Sequence, residues 1–203
     1  HLRHMPGGVF TDHVFGAMKA KDILRMEGPF GSFFLRDEST APIVLLASGT
    51  GFAPIKAILS HLRHKASERE VVLYWGCRKR ADLYQHDWCL QMAAEMLNLR
   101  YVPVLSEPEG SRTADAWEGR TGFVHEAVMT DFPDLSSHQV YACGAPLMVE
   151  AAQRDFSALR GLPQDAFFAD AFTSEADKHG AAVPTHTTEH HADTTPPLNK
   201  DPR

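Results

Sequence analysis

The residues best placed for chemistry lie in Leu46-Ala47-Ser48-Gly49-Thr50-Gly51-Phe52-Ala53-Pro54. The run Ile43-Val44-Leu45-Leu46-Ala47 reads as a parallel strand buried on both faces. Behind the glycines, Ile55, Ile58, Leu59 and Leu62 follow helical spacing. Glycines at such a junction let the backbone approach a bulky anion, and the helix N-terminus adds unpaired N–H groups and a favourable dipole. Thr50 contributes a hydroxyl. A lone Gly-x-Gly is often only a tight turn, but the strand–turn–helix setting points to a phosphate or dinucleotide site. Two features depart from the dehydrogenase fingerprint. Pro54 stands where G-x-G-x-x-G has its third glycine, and the second strand ends in Gly76-Cys77 rather than in an acidic residue for the ribose. Another group must hold the adenosine end.

A second junction is Cys143-Gly144-Ala145-Pro146-Leu147-Met148, where Pro146 suits the first turn of a helix. Cys143 reads either as a site residue or as a small buried hydrophobe, and the Gly-Ala-Pro after it favours a site. The cysteines, Cys77, Cys89 and Cys143, are three in number with no close pair. This argues against a disulfide framework, and a reduced, cytoplasmic setting is expected. Cys77 and Cys89 read as packing residues. Arg78 and Arg80 are exposed charges by default, and Asp82 reads as a helix cap.

These residues need elements to carry them, and strand and helix patterns alternate along the chain. Val71-Val72-Leu73-Tyr74-Trp75 is a second strand, followed by a helix from Asp82 to about Leu97 with Gln85 completing a capping box. Tyr101-Val102-Pro103-Val104-Leu105 is a third strand, near an edge because of Pro103. A short helix covers Gly122 to Met129, and Gln139-Val140-Tyr141-Ala142 is a fourth strand. The next helix carries Met148, Ala152, Phe156 and Leu159 as its apolar stripe and closes at Gly161. Phe167 to Phe172 is a last strand. The fold class is α/β, a doubly wound parallel sheet. Ahead of it, residues 1–38 carry short strand-like pieces, Ile23-Leu24 and Ser32-Phe33-Phe34-Leu35, and read as the last strands of an antiparallel β-barrel. The domains are thus 1–38, 39–175 and a polar tail, 176–203, expected to be disordered. His186, His190 and His191 in that tail read as solvated residues rather than metal ligands.

Four segments resemble, in order and spacing, the ferredoxin–NADP reductase superfamily. They are Gly49-Thr50-Gly51-Phe52-Ala53-Pro54, Tyr74-Trp75-Gly76-Cys77-Arg78, Asp82-Leu83-Tyr84 and Cys143-Gly144-Ala145-Pro146-Leu147-Met148. The resemblance covers residues 1 to about 175 and is greatest to NADH-using oxygenase reductases and CDP-6-deoxyglucoseen reductases. It implies hydride transfer from NADH to FAD, then single electrons to an iron–sulfur centre or to an oxygenase or dehydratase component. Gly49, Thr50 and Gly51, with Phe52 and Pro54, would meet the pyrophosphate and nicotinamide ribose. Cys143 and Gly144 would lie beside the nicotinamide ring as the catalytic positions, followed by Pro146 and Met148. Gly76 and Arg78 would face the nucleotide from the second strand. Gly8-Val9-Phe10-Thr11 resembles the loop holding the flavin pyrophosphate, and Phe172 the aromatic that lies near the flavin. Phe172 also reads as plain core. Gly28-Pro29-Phe30-Gly31 matches the turn ending the flavin domain.

The family's Arg-x-Tyr-Ser strand and a C-x4-C-x2-C cluster motif do not occur in the chain. A truncated chain, inactive alone, is expected, with a 2Fe-2S cluster in a preceding segment. NADPH-using relatives place Ser-Arg after the third strand, where this chain has Ser106-Glu107. A carboxylate there repels a 2′-phosphate, so NADH is favoured over NADPH, against the nearby charges of Arg78 and Arg112. A net charge of -6 gives no electrostatic case for nucleic acid or an anionic membrane, and no apolar run spans a bilayer. The rival expectation is a nucleotide-binding or electron-transfer subunit without reductase activity of its own.

Overall fold

The strands of the sheet are almost wholly apolar because helices cover them on both sides. In the computed structural model, which describes residues 1–108 and 117–173, six parallel strands run in the order β4-β3-β2-β1-β5-β6. They are β1 (Ile43–Ser48), β2 (Val71–Cys77), β3 (Leu99–Leu105), β4 (Arg120–Thr121), β5 (Gln139–Gly144) and β6 (Phe167–Ala171). Alternate residues of each central strand point to opposite faces. Leu45, Ala47, Leu73, Trp75 and Tyr141 pack on one face against α2 (Phe52–His64) and α3 (His86–Glu95). Val44, Leu46, Tyr74, Val140 and Ala142 pack on the other against α4 (Val124–Asp131) and α5 (Pro146–Arg160). The doubly wound reading of the sequence holds in this arrangement.

Local boundaries differ in instructive ways. The helix expected from Asp82 begins only at His86. The Asp82 carboxylate instead accepts the Lys79 N–H at 3.0 Å and closes a 3-10 turn over Arg80–Asp82. In α5 Ala152 and Phe156 are buried as expected, but at the ends of the stripe Val149 is buried instead of Met148, which is half-buried, and Leu159 is exposed. Gly161 closes this helix in the left-handed conformation (φ 68°). Pro103 stands in β3 opposite Trp75, and β4 pairs β3 only at Val104 and Leu105, so the near-edge reading holds.

Residues 1–42 contain no strand. A one-turn helix, α1 (Val9–Asp12), continues into a π-helical turn at His13–Ala17. The pieces expected as strands, Ile23-Leu24 and Ser32–Leu35, have no neighbouring strand to pair with. Around Ser32 and Phe34 the polar groups are used locally: Ser32 O accepts the Phe34 N–H, and Phe34 O accepts Arg36 Nη1. Arg112 and the 176–203 tail with its histidines lie outside the described residues.

Candidate functional site

The strand order reverses between β1 and β5, and an open α/β sheet offers its ligand crevice at such a point, beyond the carboxyl ends of the strands. The chain places Gly49–Gly51 after β1 and Ala145-Pro146 after β5, so the N-termini of α2 and α5 both open there. Neither helix has a side-chain N-cap, but each has a proline in its first turn, and Phe52 N–H donates to Gly49 O and Met148 N–H to Ala145 O, so it is the two helix dipoles rather than a row of free first-turn amides that favour an anion there.

The two junctions touch through their backbones. A Cβ on Gly51 would lie 2.6 Å from Gly144 Cα, so only glycine fits at this crossing. Gly144 has φ +136°, a conformation side chains rarely adopt, and a Cβ there would meet Ser48 O at 2.6 Å. Ser48 Oγ accepts the Ala145 N–H at 2.9 Å, and Gly144 O accepts the Phe172 N–H at 2.8 Å. Gly49 (φ +51°) faces open space. Its carbonyl is fixed by Trp75 Nε1 at 3.0 Å, and Trp75 stacks on Phe52 with centroids 4.0 Å apart. Among the described residues the Thr50 hydroxyl takes no hydrogen-bond partner, which leaves it available to a ligand.

The site residues read from the sequence therefore separate into groups. Gly49, Thr50, Gly51, Gly144, Pro146 and Phe172 gather around the crevice. Cys143 has no accessible surface; its thiol belongs to the core, and what reaches the crossing is its main chain. Burial pushes the Cys143 thiol up to about 12, so it is neutral near pH 7; Cys77 and Cys89 are pushed equally high by burial. Phe52 is also fully buried and supports the turn from beneath. Gly76 gives Val124 room, because a Cβ there would lie 2.7 Å from the Val124 Cβ. Pro54 and Met148 are half-buried. Gly8 caps α1, whose first-turn amides at Val9, Phe10 and Thr11 precede any intrahelical acceptor.

Arg78, Ser106 and Glu107 lie where β2 and β3 end. Glu107 N donates to Arg78 O at 2.9 Å, Ser106 N donates to Cys77 O at 3.0 Å, and Arg78 Nε stands 3.8 Å from Glu107 Oε1. Beside them an open cleft of about 940 Å³ is lined by Lys79, Arg80, Tyr84, His86, Trp88 and Trp117. Burial and the Arg80 charge lower the His86 pKa, so this cleft holds a neutral imidazole near pH 7.

Sequence reading missed Ser48, whose place before Gly-Thr-Gly was a usable signal, and Trp75 as the brace of Gly49. It also missed Asp131, which accepts from Tyr74 OH (2.6 Å), Arg100 Nη1 (3.0 Å) and Arg120 Nη2. No local pattern signals that network, since its members come from β2, β3, β4 and α4.

The crevice fits a dinucleotide. Two uncapped helix N-termini converge on it, Gly49 leaves space, and Thr50 offers a free hydroxyl. No group of three metal-ligating side chains occurs among the described residues, and no helix there is long and apolar enough to cross a membrane.

Comparison with known proteins agrees with this geometry. The oxidoreductase NAD-binding domain family matches residues 45–154. The CDP-6-deoxy-L-threo-D-glycero-4-hexulose-3-dehydrase reductase of Yersinia pestis is 44% identical over 172 residues, 85% of this chain and 50% of that protein. Reductase component 1 of terephthalate 1,2-dioxygenase from Comamonas sp is 36% identical, covering 88% of this chain and 52% of the relative. The chain thus spans about half the length of the curated relatives it matches. The crystal structure of Amycolatopsis cytochrome P450 reductase GcoB superposes with a TM-score of 0.76 at 34% identity, over 85% of this chain and 51% of that one. The chain belongs to the oxidoreductase NAD-binding domain family, of the ferredoxin reductase type.

Proposed function

We propose that the chain is the NADH-binding half of an FAD-dependent reductase that passes single electrons to an iron–sulfur centre or to a partner such as an oxygenase or dehydratase component. The observation that carries this reading is the glycine crossing of Gly51 on Cys143-Gly144, which opens two helix N-termini onto one crevice. Bound there, the nicotinamide would supply hydride chemistry and the flavin the change from two-electron to one-electron transfer.

The chain's own residues bind, orient and exclude. Gly49, Gly51 and Thr50 present amides and a hydroxyl to the pyrophosphate and ribose. Gly144, without a side chain, leaves one face of the nicotinamide open. Phe172, its N–H tied to Gly144 O, would stand beside that face. No side chain has to move a proton, in keeping with a neutral, buried Cys143. Gly8–Thr11 would meet the flavin pyrophosphate, and residues 1–38, which form no strand by themselves, would complete their pairing only against a flavin-binding barrel. A 2Fe-2S centre of the complete protein would take its ligands from residues other than these three buried thiols. The free thiols suit the cytoplasm. At the adenosine end, Glu107 engages the exposed Arg78 and leaves less positive charge for a 2′-phosphate, which favours NADH.

Anaerobic mixing of the flavin-loaded complete protein with NADH tests this reading. Flavin bleaching at saturating NADH is expected, with kcat/KM higher for NADH than for NADPH. Glu107→Arg should shift that ratio toward NADPH by about tenfold, a discrimination of about 1.4 kcal/mol. A protein that binds NADH without bleaching flavin would be a nucleotide-binding subunit instead.

A further inference from the structure

Between the front segment and the sheet, the chain passes through a clamp centred on Arg36. The guanidinium lies over two rings, 3.8 Å from the Phe34 centroid and 4.5 Å from that of Phe168. Its Nη1 donates to Phe34 O at 2.9 Å. The Arg36 N–H donates to Tyr141 OH at 3.0 Å, and the Tyr141 ring stacks on Phe168 with centroids 4.8 Å apart. Arg69 fastens the same stretch from below. It donates to Arg36 O at 3.1 Å, to Ala41 O at 2.7 Å and to Gln139 Oε1 at 2.8 Å.

The anchors belong to two strands, and those strands end at the crevice. Tyr141 is in β5, two residues before Cys143; Phe168 is in β6, four residues before Phe172. Gly144 O, which accepts the Phe172 N–H, joins the two strand ends. Tyr141 and Phe168 lie in the amino-terminal halves of β5 and β6, so the path from Arg36 to Gly144 and Phe172 runs along these two strands. The planar, always-charged guanidinium suits this place, because it can stack on two rings while donating in its own plane.

We propose that Arg36 is a positioning residue that sets the front, flavin-bearing segment over the nicotinamide face, without touching either cofactor. This rests on the reductase reading above. Hydride transfer is steep in donor–acceptor geometry, so a loosened clamp should slow it while leaving the nucleotide crevice intact.

The test uses the complete flavin-loaded protein with Arg36→Gln and, as a milder second change, Tyr141→Phe, which keeps the ring stack and loses the bond to the Arg36 N–H. Three readouts are compared with the unaltered protein: the limiting rate of flavin bleaching, NADH affinity, and amide hydrogen exchange over residues 32–41 and β5. Arg36→Gln is expected to lower the limiting rate roughly ten- to hundredfold. NADH affinity should stay within about twofold, and exchange should rise in 32–41 but not in β5. Tyr141→Phe should lie between. Unchanged rates in both variants overturn the proposal, as does a slower rate with unchanged exchange in 32–41. A fall in NADH affinity or in β5 protection that parallels the rate in both variants also overturns it, because the clamp would then only support the fold. If the unaltered protein shows no bleaching by NADH, the reductase reading fails first and takes this proposal with it.

Discussion

The front segment and the sheet use the same kinds of residue and reach opposite ends. Val9, Ile23, Met26 and Phe30 are 91%, 97%, 90% and 79% exposed, whereas Leu45, Trp75, Phe156 and Tyr141 have no exposed surface. The difference is one of partners rather than composition. Each strand from β1 to β6 has a neighbour to take its backbone groups, and the central strands have helices over both faces. Residues 1–31 bond mainly to themselves, as in Thr11 Oγ1 to Met5 O (2.9 Å) and Lys19 N to Asp22 (2.8 Å). An apolar side chain stabilises a fold only when an element offers a face for it, at roughly 25 cal/mol per Å² removed from water. The sheet is self-sufficient by this measure, and the front segment is not.

The sharpest way to break the self-sufficient region is at its glycine crossing. Gly51→Ala brings a methyl onto backbone atoms of Cys143 and Gly144, which cannot rotate away as a side chain would. A loss of about 3 kcal/mol or more is expected, with NADH binding abolished because the two junctions are pushed apart. Gly144→Ala adds the strain of φ +136° to a clash with Ser48 and should be at least as severe. Chemical denaturation and NADH titration check both. Either variant with unchanged stability would mean that the junctions can separate freely.

The Asp131 network breaks the same region less severely. Burial works against the Asp131 charge, but hydrogen bonds from Tyr74, Arg100 and Arg120 outweigh it and hold the carboxyl below its ordinary range. Its folded pKa is therefore below the unfolded value of about 3.9. The stabilisation is complete above that value and is lost as pH falls through the folded pKa. Asp131→Asn should cost about 2–3 kcal/mol at pH 7 and weaken the loss of stability below about pH 4. Urea unfolding at pH 7 and pH 3 decides it, and equal losses at both would remove the network from acid stability.

The contrast between the regions also accounts for what was legible in the sequence. The buried strands announce themselves because both faces need apolar residues, and Gly49–Gly51 and Gly144 stand at junctions that only glycine can form. Gly51 was read as room for a phosphate, yet its first duty is to the backbone of Cys143 and Gly144. Cys143 and Phe52 fall within site motifs but support from inside, a distinction that depends on which way a side chain turns. The ends of the apolar stripe of α5 and the start of α3 turned on local hydrogen bonds and on packing. Asp131 and Arg36 escaped because their partners come from distant strands, and no spacing along the chain encodes them.

The smallest effect on stability should come from removing the front segment itself. Deleting residues 1–31 leaves Arg36, Arg69 and Tyr141 in place, and takes away exposed side chains together with surface contacts such as His1 Nδ1 to Tyr84 OH (2.7 Å). Because those contacts are exposed, the sheet should lose less than about 1 kcal/mol, and its unfolding should remain cooperative. Binding of a hydrophobic dye and concentration-dependent association should both fall, since the deletion removes the exposed apolar side chains of Val9, Ile23, Met26 and Phe30. Thermal unfolding, dye fluorescence and light scattering of the two forms measure this directly. A large drop in stability would mean that the front segment is a working part of the sheet's packing, and the contrast between the two regions would disappear.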